Sequence, residues 1–371
     1  MAEVPVKNAA VDTDWRIEVA TLARRFFNIL QKPEDAELAS APYETGKVTP
    51  WSFQHFLTFL QRSGFDQINV REITRILNAM VQVGLLLPAG WAAQSAIFGQ
   101  CYFSNRGETS QASGLLWLSE VLHGEIIIPC YTAVTVQITG YALDPNSDEQ
   151  SGTGLILDAN HVLTNRHVVE GMKRDVEVHA PGPKAADFGV QQCRIHMHGE
   201  VDIAVIEVKA TDDTPGFPTL KGMTFRDPAW ADETYVLGYP RVPMTAESTI
   251  TVQRGQVVNP STPSMPTRAP VFLYSAIARP GNSGGPVVAG DGRVIGLVVE
   301  DSSSTTRAGS VDESPPQTIE ERASEIENWL AALDERTRAP AFYRGIPTSE
   351  IVRAVRELKF PDTLIRVESW S

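Results

Sequence analysis

The sequence lacks the features that mark membrane-spanning, secreted and disulfide-bonded proteins. It has no apolar run of about 18 residues or more, which a membrane span requires. Its start, MAEVPVKNAAVDTDW, has neither the basic nor the apolar stretch of a signal peptide. Its three cysteines, Cys101, Cys130 and Cys193, are an odd number and lie far apart, which is typical of reduced thiols. We therefore expect a cytoplasmic protein with no membrane partner.

Positive charge is also scarce. The chain has 32 Lys and Arg against 45 Asp and Glu, a formal net charge of −13. This balance disfavours sequence-independent binding to nucleic acid and to anionic membranes. A composition of 42% hydrophobic and 21% charged residues is that of a folded globular protein, and 371 residues are enough for two or three domains.

Residues 1–124 are predicted to form a mostly helical domain. Apolar residues recur at helical spacing from Trp15 to Ile29. A second helix is expected to start at Thr49, and a third is expected after Asn69, which can cap its first turn. The stretch IFGQCYFSNRGET then has the pattern of a short hairpin. Helices followed by a small hairpin resemble a winged-helix domain.

Two roles are open for this first domain. Arg71 and Arg75 lie one turn apart on the third predicted helix and could contact a nucleic acid backbone. Acidic residues nevertheless outnumber basic ones through residue 124, whereas a phosphate-binding domain is expected to carry a basic excess. We therefore expect the domain to bind a protein partner or substrate, with nucleic acid as the alternative.

From residue 125 to residue 371 the pattern changes to short β-rich runs separated by turns. Examples are EIIIPCYTAVTVQI, GTGLIL, DIAVIEV, ETYVLGYP and VIGLVVE. Many short strands of this kind favour an all-β sandwich or barrel.

Three segments of this region carry residues that fit nucleophilic catalysis. LTNRHVV contains His167, DIAVIEV begins with Asp202, and PGNSGGPVV contains Ser283. A serine hydroxyl needs a neighbouring base to become a good nucleophile, and histidine can accept its proton and return it to the leaving group. A carboxylate fixes the imidazole tautomer and balances its charge.

These segments resemble the trypsin-like serine peptidases, and within them the bacterial Deg/HtrA-type branch. The resemblance implies two six-stranded β-barrels with the site between them. It also implies that His167 is the base, that Asp202 orients it, and that Ser283 attacks. The oxyanion hole would be formed by the main-chain N–H groups of Gly281 and Ser283. We expect no PDZ domain after the peptidase region.

The chain departs from this family in ways that concern regulation and specificity. Asn282 replaces the acid that pairs with the new N-terminus in secreted trypsins, so control by loops is expected, with 259–270 in the place of the branch's main regulatory loop. Ile277, Val298 and Glu300 fall where the family lines its primary specificity pocket. We therefore predict cleavage after small or medium aliphatic residues.

An insertion around 301–340 separates VIGLVVE from its expected continuation, AFYRGIPTSEIVRAVREL. Thr318 and Glu321 can form a capping box for an acidic amphipathic helix with apolar residues at helical spacing. This helix could be a lid or docking element beside the cleft, or could pack on the outside of the barrel.

No metal or cofactor is predicted. Cys193, His196 and His198 lie close together, but one cysteine and two histidines at this spacing match no strong zinc pattern. GTG at 152–154 lacks the rest of a phosphate loop and is interpreted as a strand.

The sequence as a whole predicts an intracellular serine endopeptidase that acts on a protein substrate, and its architecture suggests one dedicated target. Two alternatives remain open. One is a DNA-binding regulator whose peptidase domain acts on itself or on a bound partner. The other is an inactive peptidase-like scaffold that only binds peptides.

Overall fold

The computed structural model describes residues 13–65, 68–93, 95–104, 110–144, 148–180, 187–188, 193–208, 216–242, 248–265, 267–299 and 342–368. The contacts divide the chain into two units, Met1–Ile126 and Ile127–Ser371. The insertion expected at 301–340 and Glu300 both lie outside the described residues. Among the described residues, no helix is long and apolar enough to cross a membrane.

The first unit combines helices with a small antiparallel sheet. Its sheet has the strand order β1-β3-β2. In chain order, the elements are α1 (Thr13–Phe26), α2 (Pro33–Ala39), β1 (Trp51–Ser52), α3 (Phe53–Arg62), α4 (Val70–Gln82), β2 (Leu86–Trp91), β3 (Gln100–Ser104), two 3₁₀ turns (Ser110–Ser113 and Leu116–Leu118) and α5 (Ser119–Leu122).

Aromatic side chains form the core of this unit. The ring of Phe26 contacts three other rings, at centroid distances of 4.8 Å from Trp51, 5.3 Å from Phe56 and 4.9 Å from Phe59. All four side chains are almost fully buried. Burying each of them contributes about 1.5–3 kcal/mol, which makes this cluster the main reason why α1 and α3 pack together.

The two predicted helix starts had different outcomes. The third helix begins as expected, because the Asn69 side chain accepts a hydrogen bond from the Glu72 N–H at 3.2 Å. The expected start of the second helix at Thr49 is wrong. Ser52 and His55 form the capping box instead, while Trp51 is taken up by β1 pairing with β3.

The stretch after residue 124 begins with a helix, α6 (Gly124–Thr132), where the sequence favoured a strand. Ile126, Ile127 and Tyr131 are buried, and the Tyr131 hydroxyl donates to the Gly292 carbonyl at 2.8 Å. Burial of these side chains therefore outweighs the β propensity of the isoleucine run.

The second unit contains a seven-stranded sheet and a closed barrel. The sheet has the order β8-β7-β4-β5-β6-β10-β9. A short helix, α7, follows β6 in the chain. Its elements are β4 (Thr135–Tyr141), β5 (Gln150–Ile156), β6 (His161–Thr164), α7 (Arg166–Glu170), β7 (Arg174–His179), β8 (Asp187–Phe188), β9 (Cys193–Met197) and β10 (Ala204–Val208).

The barrel closes in the order β11-β12-β13-β16-β15-β14. Its elements are β11 (Glu233–Gly238), β12 (Thr251–Pro263), β13 (Pro270–Tyr274), β14 (Pro286–Ala289), β15 (Val294–Val299), β16 (Tyr343–Pro347) and a terminal helix, α8 (Thr348–Glu357). The trypsin-like architecture is thereby confirmed, although the first half is a seven-stranded sheet in the described residues rather than a six-stranded barrel.

Two details of the barrel bear on the sequence predictions. β16 follows the insertion and pairs directly with β15, so YRGIP is the next barrel strand, as expected. The segment 259–270, expected to be a regulatory loop, largely continues β12 and β13 as a hairpin. Asn259 lies opposite Leu273 and Thr262 lies opposite Val271, with register shifts between these pairs.

Candidate active site

His167 and Asp202 are brought together by the pairing of β6 with β10. These strands are antiparallel, with Ala204 opposite Thr164. If this register is continued past the strand ends, Asp202 lies opposite Arg166. The single helical turn of α7 begins there and carries His167. The register of β6 against β10 therefore brings His167 and Asp202 together, although they are far apart in the sequence.

The carboxylate of Asp202 bonds the histidine twice. Its Oδ2 lies 2.6 Å from His167 Nδ1, and its Oδ1 accepts from the His167 main-chain N–H at 2.9 Å. The main chain of Asp202 is held as well, because Asn165 Nδ2 donates to its carbonyl at 3.0 Å. Since the carboxylate accepts at Nδ1, the ring proton lies there, and the Nε2 lone pair is left for a base.

The same contacts keep Asp202 ionised. Burial favours the neutral acid and acts to raise its pKa, but the hydrogen bonds and charge of His167 outweigh that effect, with a smaller contribution from Arg166. The pKa of Asp202 therefore lies below its ordinary value.

Ser283 follows a tight turn at the start of β14. Asn282 N–H donates to the Arg279 carbonyl at 2.9 Å, and Gly281 has a φ of +101°. With Pro280 before Gly281, this is a type II β-turn, which requires a positive φ at its third residue. A Cβ on Gly281 would lie 2.4 Å from the Tyr239 carbonyl oxygen, so the turn also has no room for a side chain there.

The peptide plane between Pro280 and Gly281 is fixed through its carbonyl. The Pro280 oxygen accepts from the Arg241 N–H at 3.0 Å. In a trans peptide the N–H points away from the carbonyl, so this bond directs the Gly281 N–H to the opposite side. Within the described residues, the Gly281 N–H has no acceptor.

The plane between Asn282 and Ser283 is fixed in the same way. The Asn282 oxygen accepts from the Gly285 N–H at 2.9 Å. The Ser283 N–H again has no acceptor among the hydrogen bonds of the described chain. Two N–H groups in one turn are therefore held by their carbonyls and remain free to bind an anionic oxygen.

Thr153 of β5 is a site residue that the sequence interpretation missed, since GTG was interpreted only as a strand. Its hydroxyl donates to the Gly281 carbonyl at 2.6 Å and accepts from the Tyr239 N–H at 2.9 Å. Its N–H donates to the Ser283 carbonyl at 2.9 Å. The seven-stranded sheet thus holds the turn that starts a barrel strand. No sequence signal marks Thr153, because these bonds depend on the packing of sheet against barrel.

The residue after Ser283 lies against the segment that leads into His167. A Cβ on Gly284 would lie 3.0 Å from the Asn165 nitrogen. Between these two described residues, the hydroxyl of Ser283 forms no hydrogen bond with the imidazole. In free enzymes, such catalytic hydrogen bonds are often long and shorten when substrate binds.

The residues predicted to line the specificity pocket have different environments. Ile277 is 46% exposed and lies between two buried alanines. Val298 is fully buried in the barrel core, and its main chain pairs with the serine turn, accepting from Gly284 N–H at 3.1 Å and donating to Gly285 at 2.9 Å. Their roles in substrate binding remain predictions, as does that of Glu300, which is not described.

The candidate zinc residues are separately engaged. His196 Nε2 lies 3.1 Å from Glu207, and His198 Nε2 lies 2.7 Å from Glu357. Cys193 is half-buried, and burial raises the pKa of its thiol to about 11. Among the described residues, no group of three or more His, Cys, Asp or Glu side chains is arranged to hold a metal ion.

Comparison with known proteins gives a family match within the second unit. Residues 152–297 match the model of the family described as "Trypsin-like peptidase domain". "Putative protease Do-like 12, mitochondrial" of Arabidopsis thaliana is 31% identical over 176 residues, which are 46% of this chain and 33% of that protein. "Putative protease Do-like 3, mitochondrial" of the same plant is 29% identical over 191 residues, 50% and 30% of the two chains. The chain thus spans about a third of the length of these relatives.

Solved structures with a similar arrangement include the HtrA-type protease AlgW with tripeptide. It is 16% identical, with 62% of each chain covered and a TM-score of 0.43. The serine endoprotease from Yersinia pestis is also 16% identical, with 62% of this chain and 65% of that chain covered and a TM-score of 0.41.

Proposed function

We propose that this chain, which carries a trypsin-like peptidase domain, is a serine endopeptidase with Ser283 as its nucleophile. His167 is the general base, Asp202 orients and balances it, and the N–H groups of Gly281 and Ser283 form the oxyanion hole. The observation that carries the proposal is the combination of the 2.6 Å bond from His167 to Asp202 with a serine turn whose two N–H groups have no acceptor within the described chain.

In the first half-reaction, Ser283 Oγ attacks the scissile carbonyl carbon while its proton passes to His167 Nε2. The carbonyl oxygen becomes an oxyanion and accepts from the two N–H groups. The C–N bond then breaks, and the proton on His167 goes to the leaving amine. Asp202 stays ionised and balances the imidazolium, which agrees with the direction of its pKa shift.

In the second half-reaction, His167 takes a proton from water, and the resulting hydroxide attacks the acyl carbon of the ester on Ser283. The second oxyanion occupies the same hole. Its collapse breaks the ester bond and returns the proton from His167 to Ser283 Oγ. The two main-chain donors stabilise the transition state strongly, because loss of one such donor typically costs about 3–4 kcal/mol of that stabilisation.

Labelling of the full chain with a fluorophosphonate probe tests the nucleophile. We expect covalent labelling that is abolished in Ser283→Ala and retained in Ser275→Ala, a matched change of a nearby exposed serine. Cleavage of unfolded protein substrates should follow the same pattern. Absence of labelling and cleavage in the wild-type chain would instead support the inactive scaffold.

For substrate choice, we propose cleavage after small or medium aliphatic residues. Ile277, an exposed apolar side chain just upstream of the serine turn, supports this preference. Matched peptides that differ only in a valine or an arginine before the scissile bond provide the test. Faster turnover of the arginyl peptide would refute the proposal.

For the first unit, we propose a winged-helix-like module that binds a protein target. Support comes from the order α1, β1, α3, α4, β2, β3 and from the placement of β3 between β1 and β2. Arg75 on α4 is paired with Glu72 at 3.0 Å rather than unopposed. A gel-shift titration at several salt concentrations separates this role from the DNA-binding alternative, which requires binding that weakens steeply with salt.

We also propose that the protein works inside the cell. None of Cys101, Cys130 and Cys193 forms a disulfide, which supports a reducing compartment. Fractionation of cells that express the tagged full chain tests this location.

A further inference from the structure

A buried histidine lies beside the turn that carries Asp202. His198 is 5% exposed and follows directly after β9. Its Nδ1 accepts from the Val201 N–H at 2.9 Å and from the Glu200 N–H at 3.2 Å. Because a ring nitrogen that accepts carries no proton, the ring proton lies on Nε2, which is 2.7 Å from Glu357 Oε2. Both ring nitrogens are thus used, and neither takes part in the proposed reaction.

These bonds shape the main chain around Asp202. The His198 N–H donates to the Ile203 carbonyl at 2.9 Å, which closes the base of the turn. The Ile203 N–H donates to the Val201 carbonyl at 2.8 Å, which forms a three-residue turn with Asp202 at its centre. The ring of His198 accepts from the N–H groups of Glu200 and Val201, so it fixes the main chain that leads into the residue that orients the base.

The partner of His198 comes from the far end of the chain. Glu357 is the last residue of α8, where a carboxylate faces the negative end of the helix dipole. Two bonds compensate for this unfavourable placement, one from His198 and one from Arg353 Nη1 at 3.2 Å. The position of Glu357 is therefore explained by its bond to the histidine rather than by the stability of the helix.

We propose that His198 is a positioning residue for Asp202. It holds residues 200–203 so that both carboxylate oxygens stay on His167, and Glu357 favours the ring tautomer that this requires. The proposal rests on the proposed peptidase function, because it gives His198 a role only through the base. It also predicts a change at His167 that can be measured without turnover.

Three variants of the full chain separate the bonds at Nδ1 from the bond at Nε2. His198→Asn keeps an acceptor near the position of Nδ1 and loses the reach to Glu357, so kcat should stay within about threefold of wild type. His198→Leu removes all three bonds and should lower kcat about 10-fold to 100-fold at nearly constant KM, because a displacement of about 1 Å at a catalytic group can cost that much. Glu357→Ala should fall between the two.

The matched control is His196→Leu. His196 lies two residues away and has its own carboxylate partner, Glu207. Within the described residues, its side chain forms no hydrogen bond with the turn of Asp202. Its kcat should equal that of wild type. In an Asp202→Asn background, His198→Leu should add less than about a twofold further loss, because a residue that acts through Asp202 has nothing left to position.

Amide exchange at His167 provides the readout that does not depend on turnover. Its N–H donates to Asp202 Oδ1 at 2.9 Å, so exchange should speed up in His198→Leu and remain slow in His198→Asn. If the wild-type chain fails to label with a fluorophosphonate, the peptidase proposal fails while this measurement still tests His198.

Several results would overturn the positioning role. They are a His198→Leu variant with unchanged kcat and unchanged His167 exchange, an equal loss in His196→Leu, or a full further loss in the Asp202→Asn background. Should His198→Leu fail to fold, Glu357→Ala and His198→Asn decide: equal losses of kcat in both, with unchanged exchange at His167, would refute the proposal.

Discussion

Removal of one hydroxyl from the seven-stranded sheet should disable the oxyanion hole in the barrel. Thr153→Val keeps the shape of the side chain but deletes the Oγ1 that donates to the Gly281 carbonyl at 2.6 Å and accepts from the Tyr239 N–H at 2.9 Å. Gly281 is then held only by main-chain bonds, from the Arg241 N–H to the Pro280 carbonyl and from the Asn282 N–H to the Arg279 carbonyl. The residue whose N–H should bind the oxyanion loses the hydroxyl bond that fixes its carbonyl.

The structure sets the size of the effect on both stability and rate. Thr153 is fully buried, and each buried polar group left without a partner costs about 1–3 kcal/mol, so the free energy of unfolding should fall by about 2 kcal/mol or more. Complete loss of one oxyanion donor costs about 10²–10³ in kcat. Because the two main-chain bonds around Gly281 remain, we expect a loss of about 10-fold to 100-fold in kcat with little change in KM.

Single-turnover acylation of the full chain with a chromogenic ester provides the assay, and thermal unfolding is followed in parallel. Thr153→Ser is the matched control, since it retains the hydroxyl and loses only a methyl group, and it should acylate within about threefold of wild type. Acylation by Thr153→Val at the wild-type rate would refute the reasoning. Equal losses in the Val and Ser variants would assign the effect to packing rather than to the hydroxyl.

Three other substitutions test separate parts of the arrangement. Gly281→Ala puts a Cβ 2.4 Å from the Tyr239 carbonyl oxygen at a φ of +101°, so fluorophosphonate labelling should slow by about 10² or more while the fold, measured by circular dichroism, persists. Asp202→Asn should lower kcat about 10⁴-fold by permitting the wrong tautomer of the base. The folded pKa of Asp202 lies below its ordinary value of 3.8, so its contribution to stability is present above about that pH and is lost as the pH falls through the folded value. Urea titrations at several pH values should show this dependence of the free energy of unfolding on pH in the wild type and not in Asp202→Asn. Tyr131→Phe leaves the Gly292 carbonyl without its donor and should lower the free energy of unfolding by about 1–3 kcal/mol in urea titrations.

The sequence carried information on individual residues where a local rule has a single outcome. Asn69 caps α4 because a side-chain acceptor three residues before a free N–H satisfies it regardless of the rest of the fold. Gly281 was singled out through the family resemblance, and the structure gives the physical reason for a glycine there, since a type II turn needs a positive φ at that position.

The sequence was insufficient where two local rules compete or where partners are distant. Thr49 with Pro50 and Ser52 with His55 are both acceptable helix starts, and pairing of Trp51 with Tyr102 of β3 decides between them. The isoleucine run after residue 124 fits strand and helix equally by hydrophobicity, and burial decides for the helix. Thr153 reaches Gly281 across more than a hundred positions, and no periodicity or motif encodes such a contact.

The insertion after β15 shows how a chain can add sequence near a reactive turn without disturbing the fold. Val299 lies opposite Arg344, so the two ends of the connection are held side by side by the barrel itself. Loop-closure entropy grows only with the logarithm of length, and lengthening a short connection sevenfold costs about 2 kcal/mol. Val298, in the strand that leads into the insertion, pairs with Gly284 and Gly285 of the serine turn. A change in the insertion that shifts β15 would therefore alter these two main-chain bonds and, with them, the position of the serine turn.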